Sequence, residues 1–287
     1  MKNKITRKNL TLLILAVLIL LISVMSAIAT RAPRAGEGEL RVIFFNVGNG
    51  DCALLQYSGK NVLIDTGNTD SYHILKGKLH RLGIKTVHAL IISHFDSDHS
   101  GNAASISQDY GCDILYTPKP DTDEIISPVY RELKNSFSDV TGLFSGDRVE
   151  LFGLDMYVLS PSERERNDNS SSLVIKLEFG PHSFLFTGDA QCGDETKMVI
   201  RYGDFLNSDV LKVSHHGSDD ATGEEFLSAV SPKYAVISVG ENYYGHPGAS
   251  VVERLNKADI ILHITMTDND AVFVTDGDKM KYKKCRL

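Results

Sequence analysis

Four side chains able to bind a metal fall within six residues at His94-Phe95-Asp96-Ser97-Asp98-His99, directly after the apolar run Ala89-Leu90-Ile91-Ile92. A short apolar run closed by a polar cluster reads as a buried strand that hands its last residues to a loop. In such a loop imidazoles and carboxylates converge, and together they suit zinc, manganese or iron. The pattern recurs. Asp65 lies in Leu63-Ile64-Asp65-Thr66-Gly67, Asp189 in Phe186-Thr187-Gly188-Asp189, and His215 with His216 in Lys212-Val213-Ser214-His215-His216-Gly217-Ser218. Separate strand ends delivering His and Asp to one sheet edge are what a two-metal site requires, because each ion needs several ligands on a rigid base.

These segments stand in one order with Phe45-Asn46-Val47-Gly48-Asn49-Gly50-Asp51, Asn169 to Leu173 and Asn242-Tyr243-Tyr244-Gly245-His246-Pro247. That series resembles the metallo-β-lactamase-fold superfamily and, within it, the hydrolase-like domain of the ComEC/Rec2 competence proteins, over residues 39–285. The resemblance stops short of the membrane channel, since ComEC proteins carry many membrane spans and this chain at most one. It implies an α/β fold of four layers, αββα, with two packed mixed sheets and outer helices. At 287 residues and 42% hydrophobic content, the chain is long enough for one such domain.

The resemblance also implies two divalent metal ions, zinc or manganese. His94 and Asp96 are expected to face one ion, Asp98 and His99 the other, and Asp189 to bridge them. Most of the superfamily has histidine where Asp96 stands, and a carboxylate makes the site harder, which favours manganese. A histidine after Lys212 is expected to complete the second site. Adjacent residues on a strand point to opposite faces, so if the strand runs that far only one of His215 and His216 fits. Resemblance to other His-Gly endings prefers His216, leaving His215 to meet a ligand or substrate.

The slot for a third histidine of the first site falls near residue 169, where this chain has Asn167, Asp168, Asn169 and Ser170. The nearer family has Asn and Ser there too, so Asn169 and Ser170 are expected to support the site, with the first metal weakly held or recruited with substrate. His182, the one histidine nearby, reads as a surface residue of a hairpin turn. Asp65 and Asp51 are expected to brace the ligand loop, the alternative being that each caps a turn. His246 resembles the late family residue near the reacting phosphate and is expected to act with Asp98 in catalysis, protonating the leaving oxygen or holding a substrate oxygen. His73, His80, His88 and His263 fall in helix or strand patterns and read as structural.

The activity so implied is metal-assisted hydrolysis of a phosphodiester, with DNA, a nucleotide or a phosphorylated wall polymer as substrate. Two other classes compete. A hydrolase of a carboxyl-type bond, lactam or ester, is disfavoured by the missing histidine. A non-catalytic, metal-stabilised module associated with DNA uptake would melt metal-dependently without hydrolysis. Nothing in the sequence calls for a protein partner.

Residues 1–29 differ from the rest. Lys2, Lys4, Arg7 and Lys8 precede an apolar stretch from Leu10 to Met25, and Ser26-Ala27-Ile28-Ala29 resembles a signal-peptidase site. The stretch is a cleaved signal or an uncleaved anchor to the membrane, its length lying between the two. The basic flank places the body outside the cytoplasm in either case, secreted or tethered. Residues 30–38 read as a linker and 39–287 as the hydrolase-like domain.

Residues 35–287 hold 24 basic against 37 acidic groups, a formal balance of −13. Such a body repels a polyanion at long range and does not support bulk duplex binding. The local exception, Lys279 to Arg286, reads as an edge strand guarded by lysines in preference to a nucleic-acid contact. Cys52, Cys112, Cys192 and Cys285 permit disulfides without requiring them, and zero or one bridge and no thiolate metal site are expected.

Strands are expected at Leu40 to Val47, Asn61 to Asp65, His88 to Ser93, Leu211 to Ser214 and Tyr234 to Val239. Hairpins are expected around Gly180-Pro181 and Asp276-Gly277. Helices are expected at Ser71 to Leu82, Glu224 to Val230 and Ser250 to Lys257, the last with Ser250 as N-cap. Pro118 to Ser145 carries no clear pattern.

Overall fold

Strands buried on both faces account for the architecture. In the computed structural model, which describes residues 13–21, 36, 38–119, 128–162 and 169–287, Leu40, Val42 and Phe44 of the first strand join one core. Its alternate residue Ile43 joins another, together with Phe45 just beyond the strand. The same alternation separates Val62 and Ile64 from Leu63, and Phe184 and Phe186 from Leu185. Period-two side chains on an apolar strand must therefore meet another layer on each side.

The strands are β1 (Leu40–Phe44), β2 (Ala53–Tyr57), β3 (Lys60–Ile64), β4 (Ala89–Ile91), β5 (Ile114–Pro118), β6 (Asp139–Leu143), β7 (Arg148–Leu151), β8 (Leu154–Ser160), β9 (Val174–Phe179), β10 (His182–Phe186), β11 (Val210–Lys212), β12 (Tyr234–Ile237), β13 (Ile261–Ile264), β14 (Asp270–Thr275) and β15 (Met280–Cys285). One sheet runs β15-β14-β1-β2-β3-β4-β5-β6, the other β13-β12-β11-β10-β9-β8-β7. Their facing surfaces make the central core, where Phe44 stacks on Phe186 at 5.6 Å and Phe184 meets Phe273 edge-on at 6.0 Å. Helices Tyr72–Arg81, Ala103–Tyr110 and Pro128–Ser136 cover the first sheet. Cys192–Tyr202, Glu224–Val230 and Ala249–Lys257 cover the second. This is the four-layered αββα arrangement.

Both sheets are mixed, and their parallel portions position the candidate site. β3 to β6 are parallel neighbours in one sheet, and β10 to β13 in the other. Loops leaving the carboxyl ends of β3, β4, β10, β11 and β12 gather at one edge, where ligands of such sheets bind.

Several elements depart from expectation. β2, β5 to β8 and β13, and the helices Ala103–Tyr110, Pro128–Ser136 and Cys192–Tyr202, lie where no element was expected. The helix Ala249–Lys257 is capped by Gly248, and the Ser250 hydroxyl instead donates to Asp219 Oδ1. His182 is part of β10, only 16% of its side chain exposed, with Nδ1 3.5 Å from Asp209. The lysine-rich β15 is an edge strand, with Lys281 and Lys283 turned to solvent. All four cysteines are free. The expected cleavage site after Ala29 and most of the 30–38 linker lie outside the described residues. Residues 13–21 are helical and exposed, and no described helix is long and apolar enough to cross a membrane.

One buried ion pair ties the first outer layer to its sheet. Asp270, with no exposed surface, accepts from Lys78 Nζ at 2.8 Å through both oxygens and from the backbone N–H groups of Asn46 and Leu287 at 2.8 Å. Removing one partner strands a charge in the core, whereas removing both leaves only packing to recover. Asp270→Ala should lower unfolding free energy by about 3–5 kcal/mol in a urea titration. The double variant Lys78→Met/Asp270→Leu should lose clearly less, and an equal loss would contradict this account.

Candidate metal centre

Asp65 organises the site from below. It follows β3 directly in a left-handed conformation (φ +58°), and its carboxylate, 2% exposed as a residue, takes three donors: Ser93 N at 2.7 Å, Ser93 Oγ at 2.7 Å and His99 Nδ1 at 2.9 Å. A carboxylate can only accept, so His99 Nδ1 carries the proton. His216 Nδ1 lies 2.9 Å from the carbonyl oxygen of Ser238, which likewise only accepts, so that nitrogen is also a donor. His94 Nδ1 lies 3.1 Å from Ser93 Oγ, whose own hydrogen goes to Asp65. In the neutral rings all three Nε2 atoms are left with their lone pairs facing one space. Imidazoles held by their far nitrogen in this way are typical of metal-binding histidines.

The carboxylates complete the ring. Asp189, just beyond β10, lies 3.2 Å from His99 Nε2, 3.3 Å from His216 Nε2, 3.9 Å from His94 Nε2 and 3.8 Å from His215 Nε2. Asp98 Oδ2 is 3.3 Å from His216 Nε2, and Asp96 Oδ2 is 3.6 Å from His94 Nε2. His99 and His216 approach nitrogen to nitrogen at 3.3 Å. Two lone pairs and several carboxylate oxygens aimed at each other repel unless a cation lies between them. His94 Nε2 and Asp189 Oδ1 are also buried without a hydrogen-bond partner among the described residues. The residues present thus fit divalent ions, in two overlapping groups: His94 and Asp96, and Asp98, His99 and His216, with Asp189 reaching both.

Neighbouring chain holds the ligand loop in place. Gly50, at φ +145°, brings its backbone so near the metal loop that a Cβ there would lie 2.5 Å from the Asp98 carbonyl oxygen. That oxygen accepts from Asp51 N at 3.0 Å, and Thr66 N donates to the His99 carbonyl at 2.7 Å.

Asp51 lies closer to the cluster than a capping role requires. Ligand-capable atoms of Asp51, His99, Asp189 and His216 all fall within 4.8 Å of one another. Its oxygens, however, face the Nδ1 sides of the two rings, 3.4 Å from His216 and 3.8 Å from His99, and pair with the buried Lys212 ammonium. Asp51 therefore stands behind the imidazoles as a brace. Lys212 also donates to the Gly188 carbonyl at 2.9 Å and lies 3.8 Å from Asp189.

The turn after β11 corrects one expectation. β11 ends at Lys212, and His215 and His216 occupy a turn with φ of +48° and +51°, so strand alternation does not separate them. Both reach Asp189, but only His216 joins the buried cluster; His215 Nδ1 faces Asp220 at 3.5 Å. Asn169 and Ser170 occupy a half-buried turn, and this segment also sets Ser172 against the site, 3.4 Å from His94 Nδ1 and accepting from Asp189 N at 3.0 Å. Glu195 was not foreseen at all. Buried in the helix Cys192–Tyr202, it accepts from Ser214 Oγ at 2.8 Å, Thr222 N at 2.7 Å and Gly223 N at 2.9 Å, fixing the loop that carries both histidines. His246 sits at the mouth, its ring 5.4 Å from that of His215 and 6.4 Å from that of His216.

The αββα sandwich with a buried His/Asp cluster at its strand ends defines a metal-binding, hydrolase-like protein. The Metallo-beta-lactamase superfamily matches residues 45–241, and the chain belongs to it. Among its relatives, ComE operon protein 3 of Bacillus subtilis is 34% identical over 250 residues, covering 79% of this chain and 31% of that protein. Competence protein ComA of Neisseria gonorrhoeae is 31% identical over 238 residues, covering 82% and 32%. The chain thus spans about a third of the length of the curated relatives it matches. The metallo-beta-lactamase fold protein YhfI from Bacillus subtilis superposes with a TM-score of 0.59 at 11% identity, over 82% of this chain and all of that one, a likeness of fold alone.

Burial disfavours charge on His99 and His216, yet Asp189 and its neighbouring carboxylates outweigh it and hold both rings well above the ordinary imidazole pKa. Burial likewise opposes the ionised Asp189, but His216 and His99 keep its pKa well below the usual carboxylate range. Stability from the raised histidines is complete below roughly pH 6.5 and fades as pH rises through their folded values. Stability from the lowered Asp189 is complete above roughly pH 4 and fades as pH falls. Metal-stripped protein should therefore melt highest between these limits, and the rise in melting temperature on adding Mn²⁺ should grow with pH as the ion displaces protons. A metal-induced shift independent of pH would contradict the geometry. Asp65→Ala should weaken divalent-ion affinity by about 10–100-fold in calorimetric titration.

Proposed function

We propose that the chain is an extracytoplasmic phosphodiesterase or nuclease that uses two divalent ions. The observation that carries this reading is the convergence of three correctly oriented Nε2 atoms with Asp96, Asp98 and Asp189 around one buried space. Charge supports the number of ions. Asp51, Asp65, Asp96, Asp98 and Asp189 against Lys212 leave a formal −4 with neutral imidazoles, which two divalent cations would offset. His94, Asp96 and Asp189 are assigned to one ion, and Asp98, His99, His216 and Asp189 to the other. The carboxylate-rich first group suits manganese better than a three-histidine set would.

Ions so held would activate a water near neutral pH and offset charge building on the phosphoryl group. In the hydrolysis the water oxygen bonds to phosphorus, the ester P–O bond breaks, and the departing alkoxide takes up a proton, leaving a monoester and an alcohol. His246 and His215 line the open side of the cluster, where that alkoxide would leave. Burial, then His215 and His216, lower the His246 pKa, so this ring is neutral at pH 7 and offers an N–H to a phosphoryl or leaving oxygen. Asp98 and Asp189, which face the histidine nitrogens, would serve the reaction by holding the ions and placing charge.

The competence relatives are consistent with a DNA-related substrate, and the basic flank before Leu10 is consistent with a body outside the cytoplasm, with residues 1–29 as a signal or anchor and 39–287 as the hydrolase domain. Purified, metal-stripped protein supplied with Mn²⁺ should hydrolyse bis-p-nitrophenyl phosphate. Asp98→Ala and Asp189→Ala should each cut turnover by about a thousandfold, the equivalent of roughly 4 kcal/mol. Nitrocefin should remain intact. Absence of turnover with every divalent ion tried, in protein whose melting still responds to metal, would overturn the reading.

A further inference from the structure

We propose that Tyr243 and Tyr244 form a stacking subsite for an unpaired nucleobase beside the scissile phosphodiester, so that the preferred substrate is a nucleotide or a single strand. The inference rests on the phosphodiesterase reading above and names the substrate of the same site. Tyr243 is fully exposed and Tyr244 79% exposed, an unusual state for large apolar side chains that lie next to each other. Tyr244 reaches the edge of the cluster: its ring is 5.8 Å from that of His246, whose ring is 5.4 Å from that of His215 and 6.4 Å from that of His216, and Tyr243 precedes it on the same loop.

The outward pose is built in. Asn242 Oδ1 accepts from the backbone N–H groups of Tyr244 (3.0 Å) and His246 (3.1 Å), and its Nδ2 donates to the carbonyls of Gly240 (2.9 Å) and His246 (2.8 Å). Gly240 in turn packs so tightly on the Gly48-Asn49 backbone that a Cβ there would lie 2.3 Å from Gly48. The two rings are thus presented on a braced loop, where stacking loses little conformational freedom.

Charge selects the occupant. Residues 35–287, with a formal balance of −13, repel a polyanion at long range and offer it little general phosphate affinity. Affinity beyond the metal centre must come from an uncharged contact, and base–aromatic stacking is one that every nucleobase can make. Bases inside a duplex keep their faces covered, and polyol phosphates of a wall polymer have none to offer. An unpaired base meets both conditions.

The test compares a thymidine tetranucleotide with a strand of equal length and charge carrying abasic tetrahydrofuran residues, using the full chain with Mn²⁺. In the wild type and in Tyr243→Phe/Tyr244→Phe, kcat/KM for the base-bearing strand should exceed that for the abasic strand by about tenfold or more. In Tyr243→Ala/Tyr244→Ala the ratio should fall towards one. A wild-type ratio near one overturns the subsite, as does a ratio that survives the alanine pair, which would assign the tyrosines to another contact such as a protein surface. If neither strand is cut, the hydrolytic reading fails on its own, and fluorescence anisotropy of the same two strands decides the subsite: equal binding of both overturns it.

Discussion

Negative charge concentrated in a dry space is the constraint on which this structure turns. Asp51, Asp65, Asp98 and Asp189 surround three imidazoles, and all but Asp98 are nearly inaccessible to water. Carboxylates so placed are costly unless each has a partner, since isolated buried charges are among the least tolerable features of a fold. The chain meets that cost in layers. Asp65 takes three hydrogen bonds, Asp51 pairs with Lys212, and Asp189 and Asp98 face imidazole nitrogens. What is left over is an affinity for cations, either protons on His99 and His216 or metal ions between them.

Such crowding is possible only because the scaffold brings rigid chain ends to one place. Parallel strands buried on both faces cannot slip, since a one-residue shift would turn each apolar side chain from one core to the other. The residues just past β3, β4, β10, β11 and β12 therefore inherit fixed positions. The sharp turns beyond these strands need unusual backbone at Asp65, Gly188, His215 and His216, all at positive φ, and strain of this kind persists only where the surroundings over-determine it. Glu195 is one such determinant, gathering Ser214, Thr222 and Gly223 onto a single buried carboxylate.

Much of this was legible before folding, and what was not has identifiable causes. Strand β4 and its His94 to His99 loop are contiguous, so residue type and order suffice to read them, and the apolar runs before Asp65, Asp189 and His215 read in the same way. β5 to β8 escaped because they carry polar residues such as Thr141, Glu150 and Asp155, which blur the alternation. Ser172 escaped because counting along the chain cannot foresee the tight turn Asn169–Ser171 that sets the next residue against the site. The expectation that only one of His215 and His216 fits assumed a strand running that far, yet β11 ends at Lys212, and a positive φ leaves no trace in two adjacent histidines. Glu195 lay beyond reach because its partners are 19 to 28 residues away and its helix opens with a polar turn.

Lys212 shows why residue type alone underrates a position. On an apolar strand end a lysine reads as a stem that carries its charge out to water, but here the ammonium stays inside, 4% exposed as a side chain, between Asp51 and the Asp189 turn. Burial alone would drive its proton off, and Asp51 followed by Asp189 more than reverses that, so it remains charged. A fixed cation behind the rings does two things at once. It neutralises Asp51, which then braces His216 and His99 without competing for the ions in front of them. It also lowers the repulsion among the carboxylates while no metal is bound, so that the ligands can be assembled by folding before the ions arrive. The geometry is thus held by the protein's own charges, and an incoming divalent ion has only to displace protons.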